Sequence, residues 1–462
     1  MGFDSNIKTR RPSEWADFRP RLPSEFDRQT TQKTEYIQRL GRHAYLQHTL
    51  CFVVDCFPAT EFEYEAALEG DSRKPAPPVV TMITSIQDVG QDGPHGNLCN
   101  GTSNGPRKEA PVKENNWQHP GPAAFDLRSD IMTTPTARML DAIAATTLLD
   151  DDFRQDPTTL GLESRVAQLT GKQAGLFVVS GTMGNLVSIR THLQAPPHSV
   201  LCDHRSHIVT HEAGGIASLC GAMVQTVEPA NGLYLTVEDL AAKLNRGTLV
   251  TDCPTRLVSL ECPLGGVVMP LSECRRISEW ARGHGVLLHL DGARLWEAVA
   301  AGAGSLRDYC ACFDSVSLCF SKGLGAPVGS VVVGSEAFRE RARWLRKSIG
   351  GGMRQAGVVC AAARVAVEET FLGGELRGAH ERARRIAGLW EGYGGRLVYP
   401  VETNMVWLDL EAAGMSEGDF VKKGEALGLK IMGRRLVVHY QIGDEAVRRL
   451  DELFGSCFVT RA

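Results

Sequence analysis

The stretch Phe313–Ser330, FDSVSLCFSKGLGAPVGS, decides how the rest of the chain is read. Val316, Leu318 and Phe320 alternate with Ser315, Ser317 and Cys319, the period of two that marks an extended strand. The strand runs into Ser321-Lys322 and then a bend punctuated by Gly323, Gly325 and Pro327, before a second apolar run at Val331–Val333. One lysine therefore stands at the end of an apolar strand with no acidic neighbour in sequence. Desolvation in such a place favours the neutral amine, a nucleophile. Taken alone, Ser-Lys reads more simply as a solvated loop.

Upstream, Val286–Arg294 (VLLHLDGAR) is a buried-type strand ending in Asp291, Gly292, Ala293 and Arg294. Open α/β sheets bind ligands beyond the carboxyl ends of their strands, which brings Asp291 and Lys322 to one crevice. A lysine that forms a Schiff base, with an aspartate beside a pyridine nitrogen, is the pairing required by pyridoxal 5'-phosphate. The alternative for Asp291 alone is a cap on the following helix.

With LHLDGAR, FDSVSLCFSKGLGAPVGSVVVG and GGGMRQAG (Gly350–Gly357) together, the chain resembles the low-specificity L-threonine aldolases. These are pyridoxal phosphate enzymes of fold type I in the aromatic-amino-acid β-eliminating lyase superfamily. The resemblance runs from about Phe125 to the C-terminus. It implies a large domain (123–365) built on a mostly parallel seven-stranded α/β sheet, followed by a small C-terminal α/β domain (366–462). The residues agree with this outline, because strands such as Leu257–Leu260 and Val286–Leu290 alternate with helices such as Ser272–Arg282.

Residues 1–122 lie outside the resemblance. They carry polar runs, Pro/Gly clusters and one apolar island, Leu50–Phe57, and are expected to be largely disordered. The 462-residue chain, 43% hydrophobic and 23% charged, has an ordinary globular composition. A net charge of −4 and a pI near 6.4 give no sign of a nucleic-acid or anionic-membrane partner. No run reaches the ~18 apolar residues of a membrane span, and MGFDSNIKTRR has no signal-peptide core. The 13 cysteines are scattered without zinc spacing, as expected of reduced, buried thiols in a cytoplasmic protein, and no metal site is expected.

Ser180-Gly181-Thr182 follows the apolar strand Gly175–Val179 and opens a helix, chemistry that suits either a phosphate cradle or a helix cap. The resemblance selects the cradle and implies that Gly181 and Thr182 hold the cofactor phosphate. Among His204, His207 and His211, it implies that His207 stacks on the cofactor ring, with a capacity for acid/base work. It further implies that Ser129, Arg294 and Arg435 bind the substrate carboxylate, a task suited to the planar guanidinium fork. Arg354 reads either as a phosphate contact across a dimer interface or as a structural ion pair. The arginine-rich segment Ser335–Ser348 reads as a solvated helix face.

The activity implied is retro-aldol cleavage of L-threonine, L-allo-threonine or a related β-hydroxy amino acid to glycine and an aldehyde, in a homodimer or homotetramer. Lys322 would carry the cofactor. One block departs from the family: in Leu260–Pro270 (LECPLGGVVMP), Gly265 stands where eukaryotic relatives carry a histidine beside the substrate hydroxyl. Phe153 also replaces a common tyrosine. This keeps two rivals open, an alanine-type racemase of secondary metabolism and a catalytically silent binding protein.

Overall fold

A computed structural model describes residues 117–458. The expectation for residues 1–122, including the island Leu50–Phe57, thus falls almost wholly outside the described residues.

Seven strands form one sheet: β1 (Ala174–Val178), β2 (Ser199–Asp203), β3 (Met223–Val227), β4 (Thr255–Glu261), β5 (Leu287–Asp291), β6 (Ser315–Cys319) and β7 (Ser330–Gly334). Their spatial order is β1-β7-β6-β5-β4-β2-β3. Only β7 runs antiparallel to its neighbours; β6, β5, β4, β2 and β3 pair in parallel. Helices cover both faces, so the central strands are buried on both sides, with polar residues such as His289 and Ser317 inside as well. On one face Leu288, Leu290, Val316, Leu318 and Trp296 belong to the largest core cluster. The serines of β6 are buried as well, so its alternation separates two interior faces rather than core from water.

The helix starts follow local chemistry. Thr236 and Asp239 form a capping box, each side chain bonding the other's backbone N–H. Asp156 accepts from Thr159 N ahead of helix Pro157–Thr170, which ends at Gly171 with φ of +69°. An α-helix, Gly357–Val365, is continued by a π-helical turn, Ala366–Phe371.

A second core gathers Trp390, Phe420, Phe454 and the two-stranded sheet β8 (Met405–Trp407) and β9 (Arg435–Val437). Leu127 belongs to this core, and the chain beside it hydrogen-bonds to the C-terminal segment: Leu127 N to Lys430 O at 2.8 Å and Val437 N to Leu127 O at 2.9 Å.

The solvated-face reading of Ser335–Ser348 requires correction. Along helix Glu336–Ser348, Phe338, Ala342 and Arg346 form a buried stripe. Arg346 is 2% exposed, donates to Asp151 Oδ2 at 2.6 Å and to Phe177 O at 2.7 Å, and so ties the helix to β1. The described cysteines are free and all but Cys253 are buried. Burial pushes the Cys202, Cys262 and Cys310 thiols up to about 12, which leaves them inert.

Candidate active site

Carboxyl ends of β1, β2, β4, β5 and β6 point the same way, and Gly181, Thr182, His207, Asp291, Arg294 and Lys322 lie at or just past those of β1, β2, β5 and β6, whereas Ser129 and Arg435 come from outside this sheet. Asp291 closes β5 and is 4% exposed. Its Oδ1 accepts from Ala293 N at 3.1 Å and its Oδ2 from Asn185 Nδ2 at 2.7 Å. Lys322 lies just past β6, its carbonyl oxygen held by Thr133 Oγ1 and Gly325 N, each at 2.9 Å. Its ammonium lies close enough to act electrostatically on Asp130, His207 and Glu261. Gly325 has a φ of +83°, and a Cβ there would come within 2.5 Å of the Tyr440 hydroxyl, so the bend after the lysine requires glycine.

His207 is half-buried. Its Nδ1 lies 2.8 Å from Glu212 Oε1, and its backbone N donates to Glu261 Oε2 at 2.8 Å. The hydrogen bond to Glu212 raises the His207 pKa against the opposing effect of burial. His211 stacks on His207 with ring centroids 5.4 Å apart. Glu261, at the end of β4, is pushed up by burial and then by the nearby Asp291 charge. Side-chain ligand atoms of His207, Glu212 and Asp291 lie within 4.8 Å of one another, with the amide of Asn185 bridging the two carboxylates.

Ser180 caps helix Gly181–His192 by accepting from Met183 N at 3.1 Å. Backbone N–H groups of Gly181 and Thr182 have no protein partner among the described residues. They stand at a helix start, where the dipole favours negative charge.

Arg294 is already engaged. Its Nε and Nη2 donate to Asp130 Oδ2 and Oδ1 at 2.7 and 2.5 Å. Asp130, fully buried, is held down to about 2: burial opposes its charge, but Arg294 outweighs it, with help from Lys322 and Asn404. Arg435 lies 5.7 Å from the Trp407 ring centroid and donates to Arg128 O at 3.3 Å. Burial first, and then the neighbouring Arg294, lower its pKa. Ser129 stands beside them, its hydroxyl 3.4 Å from Asp130 Oδ1. The expected carboxylate contacts are thus adjacent to one another, and the fixed anion among them, Asp130, went unrecognised beside Ser129 in FDLRSD.

At Gly265 the departure has a backbone cause. Leu264 and Val267 exchange hydrogen bonds of 3.0 and 3.1 Å across Gly265 and Gly266, whose φ values are +59° and +89°. This tight turn favours glycine at both centres. Trp407 Nε1 donates to Gly265 O at 2.8 Å and fixes the turn to β8. Arg354 pairs with Asp150 at 2.8 Å, the structural alternative named for it, and lies 6.0 Å from the ring centroid of Phe153, which is 72% exposed.

The donor set fits pyridoxal 5'-phosphate. Asp291 offers a buried carboxylate, Lys322 an amine, and the helix start two uncommitted N–H groups. Glu212 Oε2 is buried without a partner, and an arriving donor would satisfy it.

Residues 126–413 match the family model for beta-eliminating lyases. The chain is 73% identical to the aldolase vrtJ of Penicillium aethiopicum over 77% of this chain and 91% of that protein. It is 46% identical to the alanine racemase TOXG of Cochliobolus carbonum, covering 73% and 88%. With the low-specificity L-threonine aldolase of Eremothecium gossypii it shares 42% identity over 73% and 88%. Among solved structures, the Leishmania major threonine aldolase superposes with a TM-score of 0.63 at 22% identity, covering 72% of this chain and 99% of that one. On these matches the chain belongs to the beta-eliminating lyase family, among the low-specificity L-threonine aldolases, and is a pyridoxal 5'-phosphate-dependent lyase of fold type I.

Proposed function

We propose that this enzyme cleaves the Cα–Cβ bond of L-threonine, L-allo-threonine or a related β-hydroxy-α-amino acid, giving glycine and an aldehyde. The observation that carries this reading is the cationic corner of the site. Arg294 and Lys322 act on the buried carboxyls Asp130 and Glu261, and Arg435 stands beside Arg294 with no ion pair of its own among the described residues. A substrate carboxylate suits that uncommitted guanidinium.

The cofactor, when bound, supplies an electron sink for the substrate α-carbon. Lys322 would hold it covalently, Asp291 would pair with its ring nitrogen, His207 would stack on its ring, and Gly181 and Thr182 would take its phosphate. Arg294 and Arg435 grip the substrate carboxylate, Ser129 adds a hydroxyl donor, and Asp130 keeps Arg294 oriented. His207, through Nε2, takes the β-hydroxyl proton in this reading, with Glu212 stabilising the charge it acquires. Gly265 contributes no side chain to that step.

The same glycine favours a second reading, an amino-acid racemase, which exchanges only the α-proton and has no hydroxyl to deprotonate. The named activity of the Cochliobolus relative adds to it. Cytoplasmic location is part of the proposal; among the described residues no helix is long and apolar enough to cross a membrane. So is a homodimer or homotetramer, supported by the exposed aromatic patch of Phe153 and Trp344 beside Arg354.

The test is the absorption spectrum of the purified protein, followed by addition of each threonine isomer and L-alanine. A band near ~420 nm that disappears in Lys322→Ala is expected of a lysine-bound pyridoxal cofactor. Aldehyde release from threonine supports the aldolase. Deuterium entering alanine at Cα with loss of chirality, and no aldehyde, makes it a racemase. No band even with added cofactor would leave only a binding protein.

A further inference from the structure

Behind Asp291 a line of buried polar side chains crosses the sheet. His192 Nε2 lies 2.7 Å from Ser315 Oγ, which lies 2.8 Å from His289 Nδ1. His289 Nε2 is 3.1 Å from Asn185 Oδ1. Asn185 Nδ2 ends the line with bonds of 2.7 Å to Asp291 Oδ2 and 2.8 Å to Glu212 Oε1. Asn185, His289 and Ser315 are at most 1% exposed, so water does not share these bonds.

The acceptors dictate which way the protons point. Asp291 and Glu212 offer carboxylate oxygens, so Asn185 presents its NH₂ to both. Its carbonyl oxygen then faces His289, which must donate from Nε2. An imidazole carrying its proton on Nε2 has a bare Nδ1, which accepts from the Ser315 hydroxyl. Ser315 Oγ in turn accepts from His192 Nε2–H. Every donor in the line points toward the two carboxylates.

Charge agrees with this polarity. Burial pushes His289 down to about 3, with His192 lowering it further and Asp291 and the Ser315 backbone opposing. Burial likewise pushes His192 down to about 4, against Asp314. Both rings are neutral at physiological pH. A neutral bridge matters here, because a lysine or arginine in the place of Asn185 would offset the negative charge that Asp291 presents to a ring nitrogen.

We propose that Asn185 is a positioning residue, held by this one-way chain of His289, Ser315 and His192, that fixes Asp291 for the cofactor and Glu212 for His207. The proposal rests on the reading that Asp291 faces the cofactor ring nitrogen.

Two measurements test it on the full-length holoenzyme. The first is a ¹⁵N spectrum of the histidine-labelled protein, with His289 assigned by its absence in His289→Gln. The expected signal has a protonated Nε2 and a bare Nδ1, unchanged between about pH 6 and pH 8.5. A charged ring, or the proton on Nδ1, overturns the chain. The second is the cofactor dissociation constant of Asn185→Asp, an isosteric change that removes both donors. Binding about 10- to 150-fold weaker at pH 8 is expected from lost hydrogen bonds to charged groups. Part of that loss should be regained at pH 6, where the introduced carboxyl takes up a proton and can donate once. Unchanged binding, or a loss independent of pH, overturns the positioning role. Failure of the proposed function shows separately, as absence of the cofactor band in the parent protein, which the His289 signal does not require.

Discussion

Arg294 and Asp130, 164 residues apart in sequence, form a two-point ion pair in which the aspartate is wholly buried. The guanidinium assigned to a substrate is therefore oriented before any substrate arrives. Asp130→Asn keeps the shape but leaves a largely buried arginine without its counter-charge, at a cost of about 3–5 kcal/mol in stability. Denaturant titration should show that loss. Among the surviving folded molecules KM should rise more than kcat falls, since the defect lies in gripping the carboxylate.

Glu212 is the principal cause of the raised pKa of His207. Glu212→Gln retains a carbonyl oxygen for hydrogen bonding but removes the charge, so the His207 pKa must fall. If neutral His207 takes the hydroxyl proton, its active form then persists to lower pH. The acid limb of the kcat/KM profile should move to lower pH, and an unmoved limb would remove His207 from that role.

Glu163 is 3% exposed, and burial pushes its pKa up to about 7 despite a 2.9 Å bond from Phe177 N. An unfolded glutamate titrates near ~4.3, so between about pH 4.5 and pH 7 the folded state holds the extra proton. Stability must then fall as pH rises through that window and level off above it. Glu163→Gln cannot ionise. In urea titrations its stability relative to the parent should rise by about 2–3 kcal/mol between pH 5 and pH 8. Parallel pH dependence in the two proteins would contradict this.

Arg346 and Asp151 are buried together at 2.6 Å. Arg346→Leu leaves Asp151 without its counter-charge and should destabilise the protein by about 3–5 kcal/mol, read as a lower denaturation midpoint. A surface arginine would give almost no effect.

These residues also mark the limits of what the sequence discloses. Lys322, Asp291, Gly181 and Thr182 stand at strand ends and a helix start, patterns visible locally, but it was the family resemblance that singled them out from loop and cap readings. Asn185, Glu212 and Asp130 were not legible, since their importance lies in contacts across 106, 27 and 164 residues that no local pattern records. Arg346 did leave a trace: it follows Phe338 and Ala342 at helical spacing on the inward stripe. The run of arginines around it masked that one position.

The segment that leads into Asp130 is pinned to the opposite end of the protein, as in the 3.3 Å bond from Arg435 to Arg128 O, 307 residues apart. During synthesis at roughly 5–20 residues per second, some 15–60 s separate the appearance of the two halves of this contact. Until then Leu127 lacks its backbone partner at Val437 and part of the core it joins. A chain that stops before Arg435 completes all seven strands of the main sheet and still leaves its first ordered segment without the strand that holds it.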